Sequence, residues 1–329
     1  MLGDLASAGL LENLVVALTS DHGHCQVDRT FPLERFLRRR VGLNLAREHL
    51  WESTAFENRM DYYRRYSAVI RGSGGRYAAV WLRKPLRGPG GEVSGYEPWA
   101  MRPSMDDLRD YPVRKPRRGW WPFRGRPPAP GRANLLELLT SQEPVDAVAY
   151  RAGPNRVRVR RKTGEVEFRQ SGGRGAEISY HLTSGDDPLG WNGTVSPALL
   201  AGRPAAPRAW LAETLRTQFP DLPAQILAYF RSNRAGDLTI FAAPGWDLGD
   251  GKRGGHGGLR GRQDLLVPLL LAGPGVPQGH RINAARTIDL MPTLLGLLNK
   301  PIPPHLDGIS LVDASAQRHP VSGAERPSR

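Results

Sequence analysis

Three side chains offer the plainest chemistry in this sequence: Asp21, His22 and His256. Asp21 and His22 are adjacent, in a Ser-Asp-His-Gly turn that follows the apolar run Leu-Val-Val-Ala-Leu-Thr. His256 stands in Gly-Gly-His-Gly-Gly. A hard carboxylate oxygen and two imidazole nitrogens suit a divalent metal such as zinc. The flanking glycines let the backbone pass close to a metal or an anionic ligand. Nearby groups read more plainly. His24 is a loop residue, Cys25 a small buried or semi-buried thiol, and Asp28 a more distant acid. Asp247 and Asp250 read as solvated loop acids, and Asp289 as the cap of a final helix. Asp186-Asp187-Pro188 reads as a turn. His49, His181, His280, His305 and His319 show no ligand spacing.

Elements must place those residues. Residues 13–19 and 237–243 are apolar on both faces, as central parallel strands are. Both run into polar or glycine-rich loops, where α/β sheets carry their sites. Residues 265–271 read as a third such strand. Helices are expected over 5–11, 32–50, 208–232 (interrupted at Pro220 and Pro223) and 287–298. Residues 76–83 read as a strand. Alternation over 145–183 predicts a β-meander with a hairpin turn at Thr163-Gly164. Between 85 and 132 the chain is rich in Pro, Gly and Arg. Its last part, 112–132, reads as an exposed arm carrying Trp120, Trp121 and Phe123. A flexible tail is expected over 314–329.

Composition sets bounds. The chain has 329 residues, 40% of them hydrophobic, which is enough for a core and excludes global disorder. One cysteine excludes an internal disulfide framework and any Cys-rich zinc module. No apolar run approaches the ~18 residues of a membrane helix. Residues 1–20 carry Asp4 and Glu12 and do not read as a signal peptide. Localisation is thus open, cytoplasmic as the sequence stands. The net charge is +14, and residues 114–132 supply half of it, with seven Arg or Lys and no acid. Such a patch attracts phosphate, nucleic acid or anionic lipid, but no nucleic-acid recognition motif accompanies it.

Five segments stand in a telling order: LVVALTSDHG, GDLTIFAAPGWDL, GGHGG, DLLVPLLLAGPGVPQG and RTIDLMPTLLGLLNKPIPPHLDGISL. Together they resemble the alkaline phosphatase superfamily, nearest its type I phosphodiesterase/nucleotide pyrophosphatase and sulfatase-like branches. The resemblance covers 10–30 and 235–312 well and the middle loosely. It implies an α/β three-layer sandwich with a mostly parallel central sheet. It also implies a hydrolase of phosphate or sulfate esters using two divalent ions, usually zinc, with manganese as the other choice. Asp21 and His22 match the pair that binds the ion beside the nucleophile. His256 matches the late ligand of the other ion.

The departures shape the expected function. In that superfamily the nucleophilic Ser or Thr, an early Asp and an Asp-x-x-x-His pair precede the SDHG turn. Only 20 residues precede Asp21, and no Asp-x-x-x-His occurs anywhere in the chain. The expectation is therefore the C-terminal part of a phosphodiesterase-like hydrolase with partial metal sites and little activity alone. The alternative is a catalytically dead binding module on the same scaffold, using the arm 112–132 to hold nucleic acid or an anionic surface.

Overall fold

A computed structural model describes residues 2–10, 13–46, 61–115, 129–173, 175–249 and 254–312. The chain divides into two compact units, one of His22–Leu266 and one of Met1–Asp21 with Val267–Arg329.

The larger unit is built on a seven-stranded sheet. Its strands are β1 (Ala68–Ser73), β2 (Tyr77–Leu82), β3 (Val145–Gly153), β4 (Arg156–Arg161), β5 (Gly164–Gln170), β6 (Ile178–Gly185) and β7 (Leu238–Ala242). The order across the sheet is β6-β5-β4-β3-β7-β2-β1. Every pairing in it is antiparallel. The expected mostly parallel central sheet is therefore overturned. The reason is visible in β3 and β7. Val148, Tyr150, Leu238 and Ile240 point into one core, while Ala147, Ala149 and Phe241 point into a second on the opposite face. Both faces are covered, so these strands read as unbroken apolar runs although they are antiparallel.

The first core is closed by Leu33–Phe36 and the π-turn Leu37–Val41, and by the helix α1 (Leu135–Thr140). Asn134 caps α1 by accepting from the Glu137 N–H. The strand pair Tyr111–Lys115 and Ala129–Ala133 also reaches this core, through the buried Tyr111 and Val113. The tip of the expected arm, with Trp120, Trp121 and Phe123, lies outside the described residues. The second core is closed by α2 (Pro207–Thr214) and α3 (Leu222–Arg231), which bring Trp210, Ile226 and Phe230 against Trp191 and Phe168.

The meander shows strict alternation. In β4, Val157 and Val159 are buried, while Arg156, Arg158 and Arg160 face the other way. The β4–β5 register sets Arg158 opposite Glu167 and Arg160 opposite Glu165, around the two-residue turn Lys162-Thr163. Glu167 is fully buried and meets Arg156, Arg158 and Arg169 at 2.6–2.7 Å. Burial alone raises a carboxyl pKa, but three guanidiniums outweigh it and hold Glu167 down at about 2.

The smaller unit joins Val16–Thr19 to Leu269–Ala272 in a two-stranded antiparallel ribbon. These segments were expected to be buried parallel strands. Instead Leu18 is 57% exposed and Leu270 61%. Asp289 is fully buried ahead of the helix Leu290–Leu297. Its carboxylate accepts the N–H groups of Arg286 (2.8 Å) and Ile309 (3.0 Å). One turn on, Thr293 Oγ1 accepts the Leu311 N–H at 3.0 Å. Among the described residues no helix is long and apolar enough to cross a membrane.

Glu167→Gln should destabilise the protein by about 3 kcal/mol, because three arginines lose their partner carboxylate. The wild-type contribution is present above the ordinary carboxylate range and is lost as pH falls from about 4 through 2. Urea denaturation of both proteins between pH 2 and 7 checks this. A gap that stays constant across that range contradicts the assignment.

Candidate functional site

The larger unit brings three distant glycine-rich pieces to one end of its sheet. The β1–β2 hairpin turns through Gly74, Gly75 and Arg76, with Ser73 paired to Tyr77. The Gly-Gly-His-Gly-Gly segment returns beside it. The His256 N–H donates to the Gly74 carbonyl at 2.8 Å, and Gly75 and His256 form an isolated parallel bridge. Gly254–Gly255 pairs antiparallel with Cys25–Gln26. His22 thus enters from three residues before one strand, and His256 leaves from the end of the other.

The two imidazoles meet. Their centroids are 3.8 Å apart and their planes 10° from parallel. The close approach demands glycine at 74, which has φ +61°. A Cβ there would lie 2.5–2.6 Å from the carbonyl oxygen and ring atoms of His256. His22 Nδ1 lies 2.8 Å from the Gly23 carbonyl. A carbonyl only accepts, so Nδ1 carries the proton in this contact.

That stacking limits the coordination chemistry. An imidazole lone pair lies in the ring plane, and near-parallel planes do not meet close by. One ion cannot sit about 2 Å from a nitrogen of each ring. The stacked pair does not fit a shared ion. Asp21, the third expected ligand, is exposed and accepts from Ser20 Oγ at 3.4 Å within the smaller unit. Among the described residues no cluster of three or more His, Cys, Asp or Glu is placed to hold a metal.

Beneath the histidines lies a group that sequence reasoning missed. Arg76 and Asp264 form an ion pair at 2.9 Å, with side chains 1% and 2% exposed. The rest of the guanidinium reaches the carbonyls of Ala243 (3.2 Å), Trp246 (3.4 Å) and Ala242 (3.5 Å), so one side chain staples the loop after β7. Among the described residues Asp264 Oδ1 is buried without a hydrogen-bond partner. Gly258 passes so near that a Cβ would fall 2.3 Å from Asp264 Oδ2. The available signal was Gly-Gly between two apolar runs, a hairpin pattern that places Arg76 at a strand start.

Other expected residues sort as follows. Asp247, read as a solvated acid, is buried. Its Oδ1 accepts the Gly249 N–H at 2.5 Å, while its carbonyl accepts from Phe31. Burial in an Asx-type turn explains the difference, because a short acid satisfies its own loop. Asp250, His49 and His319 lie outside the described residues. His24 and Asp28 are exposed. Cys25 donates to the Gly255 carbonyl at 3.4 Å. Burial first, and then the Asp264 carboxylate, push its thiol up to about 11, against the opposing pull of Arg76. No family model, no curated protein and no solved structure matches the chain.

Two outcomes follow from this geometry. Asp264→Ala should cost about 3–5 kcal/mol, since it strands a buried guanidinium, and Arg76→Met with Asp264→Leu should recover much of that loss. Chemical denaturation decides it, and a single variant within ~1 kcal/mol of wild type would sink the claim. Cys25 should react with iodoacetamide at pH 8 about a hundredfold more slowly than free cysteine, because little thiolate is present. Equal rates would show that the thiol is not shielded.

Proposed function

We propose that the chain carries a partial divalent-metal centre of a phosphate-ester hydrolase, phosphodiesterase-like in substrate class, with little activity by itself. His22 and His256 each offer one nitrogen to a separate ion, zinc first and manganese next. The observation that carries this reading is the His22–His256 contact, formed by residues 234 positions apart. The ordered segments that include SDHG and GGHGG support the choice of reaction class, and the Nδ1 bond of His22 fixes the orientation of its ring. Bound ions of this kind supply Lewis acidity and a nucleophilic water at neutral pH. The chain's own residues hold the two rings apart at a fixed spacing through Gly74 and the Gly254–Gly255 pairing.

The test uses zinc, manganese and bis-p-nitrophenyl phosphate on the whole chain. Zinc binding should be weak, at micromolar dissociation constants or above, and His22→Ala or His256→Ala should weaken it by about tenfold or more. Slow, metal-stimulated ester cleavage should fall with it. Zinc binding that both variants leave intact would overturn the proposal. So would salt-sensitive polynucleotide binding through 112–132 in a chain that binds no metal, which is the mark of a binding module.

A further inference from the structure

At the opposite end of the sheet is a cavity that the metal reading does not use. It has a volume of about 610 Å³. It opens where β3 turns into β4, against the last turn of α3 and the residues 103–106. Along β3 it lies about six residues, or roughly 20 Å, from the hairpin that holds His256.

Its lining divides by polarity. Leu227 and Phe230 on α3 and Val157 on β4 form an apolar floor. Arg151, Arg156 and Arg231 supply three guanidiniums, against a single lining carboxylate, Asp106. Asp106 points elsewhere, being 93% exposed and drawn towards Arg109 at 3.6 Å. Arg151 is locked. Its nitrogens donate to the carbonyls of Phe230 (2.8 Å) and Ser232 (2.6 Å), and its guanidinium lies 5.1 Å over the Phe230 ring. It is a fixed charge, not a free hand. Arg156 is already paired, since its Nε and Nη2 both go to the buried Glu167. Arg231 is exposed at the rim, one residue past the Phe230 floor.

We propose that this cavity binds a small organic anion, with a flat apolar body on the Leu227–Phe230 floor and a phosphate or carboxylate head at Arg231 on the rim. The volume falls in the range of small-molecule sites, which pair an apolar lining with a few placed polar groups. A guanidinium fork suits either oxyanion head. Gln170, also in the lining, donates its amide N–H to the Ala176 carbonyl at 3.0 Å.

Four probes test the split between head and body: naphthalene-1-phosphonate, naphthalene-1-carboxylate, 1-naphthol and inorganic phosphate. Calorimetry on the whole chain should show the two naphthyl anions binding at least about tenfold more tightly than naphthol or phosphate alone. A phosphonate cannot be hydrolysed, so turnover elsewhere does not confuse the reading. Arg231→Ala should weaken the anions about tenfold, and Arg231→Glu should weaken them further. The urea midpoint should stay in place, because Arg231 is exposed. His22→Ala and His256→Ala should leave this binding unchanged, so failure of the metal proposal and failure of this one are separable. Naphthol binding as tightly as the anions, Arg231→Glu binding like wild type, or no binding of any probe would each overturn the proposal. A preference for phosphonate or for carboxylate tells which head the site takes.

Discussion

The buried Arg76–Asp264 pair is the contact on which the histidine end of the larger unit depends. Two charges removed from water are costly unless they are paired and hydrogen-bonded. Arg76 meets that condition by spending its remaining donors on carbonyls of the loop after β7. Those carbonyls belong to the segment that leads to Gly-Gly-His-Gly-Gly. Asp264 sits just beyond that segment, on the short helix Arg262–Leu265. The pair therefore ties both ends of the excursion carrying His256 to the start of β2. A hydrophobic pair of equal volume would fill the space, but it would not choose among the carbonyls. The ionic pair fixes the path, and with it the position of His256 against Gly74.

Much of the larger unit was legible. Alternation over 145–183 predicts four strands, and prolines 220 and 223 divide two helices that the structure also divides. Strand direction was not legible. Leu-Thr-Ile-Phe-Ala is buried on both faces because helices and loops cover both sides of the sheet at that point, and burial on both faces does not depend on direction. The same run of logic fails differently at Val16–Thr19. There the apolar residues belong to a two-stranded ribbon, where Leu18 and Leu270 face outward.

The site divides along the same line. His22 and His256 stood out by residue type and by the loops that hold them, as ligands of two different ions, and the stacking of their rings was not foreseen. Arg76 and Asp264 were not legible, since a basic and an acidic residue 188 positions apart look like any two surface charges until the fold buries them. Asp247 misled for the reverse reason. A loop acid flanked by glycine reads as solvated, yet a backbone N–H two residues away satisfies it in the interior.

The antiparallel sheet also bears on what the sequence resemblance is worth. Its most specific stretch, from Asp-Leu-Met-Pro-Thr to Asp-Gly-Ile-Ser-Leu, has a complete local explanation. Asp289 and Thr293 lie one helical turn apart and accept the N–H groups of Ile309 and Leu311, which are two residues apart on an extended segment. A helix start and a returning strand-like segment of that geometry need an acid and a hydroxyl at i and i+4. Gly308 is needed where a Cβ would fall 2.0 Å from the Ile288 carbonyl. Those demands fix the spacing whatever sheet lies next to it. The motif thus testifies to a clamp within the smaller unit, and it leaves strand direction in the larger unit to be set by the hairpins there. The functional reading rests on the stacked histidines, which two loops far apart in sequence bring together.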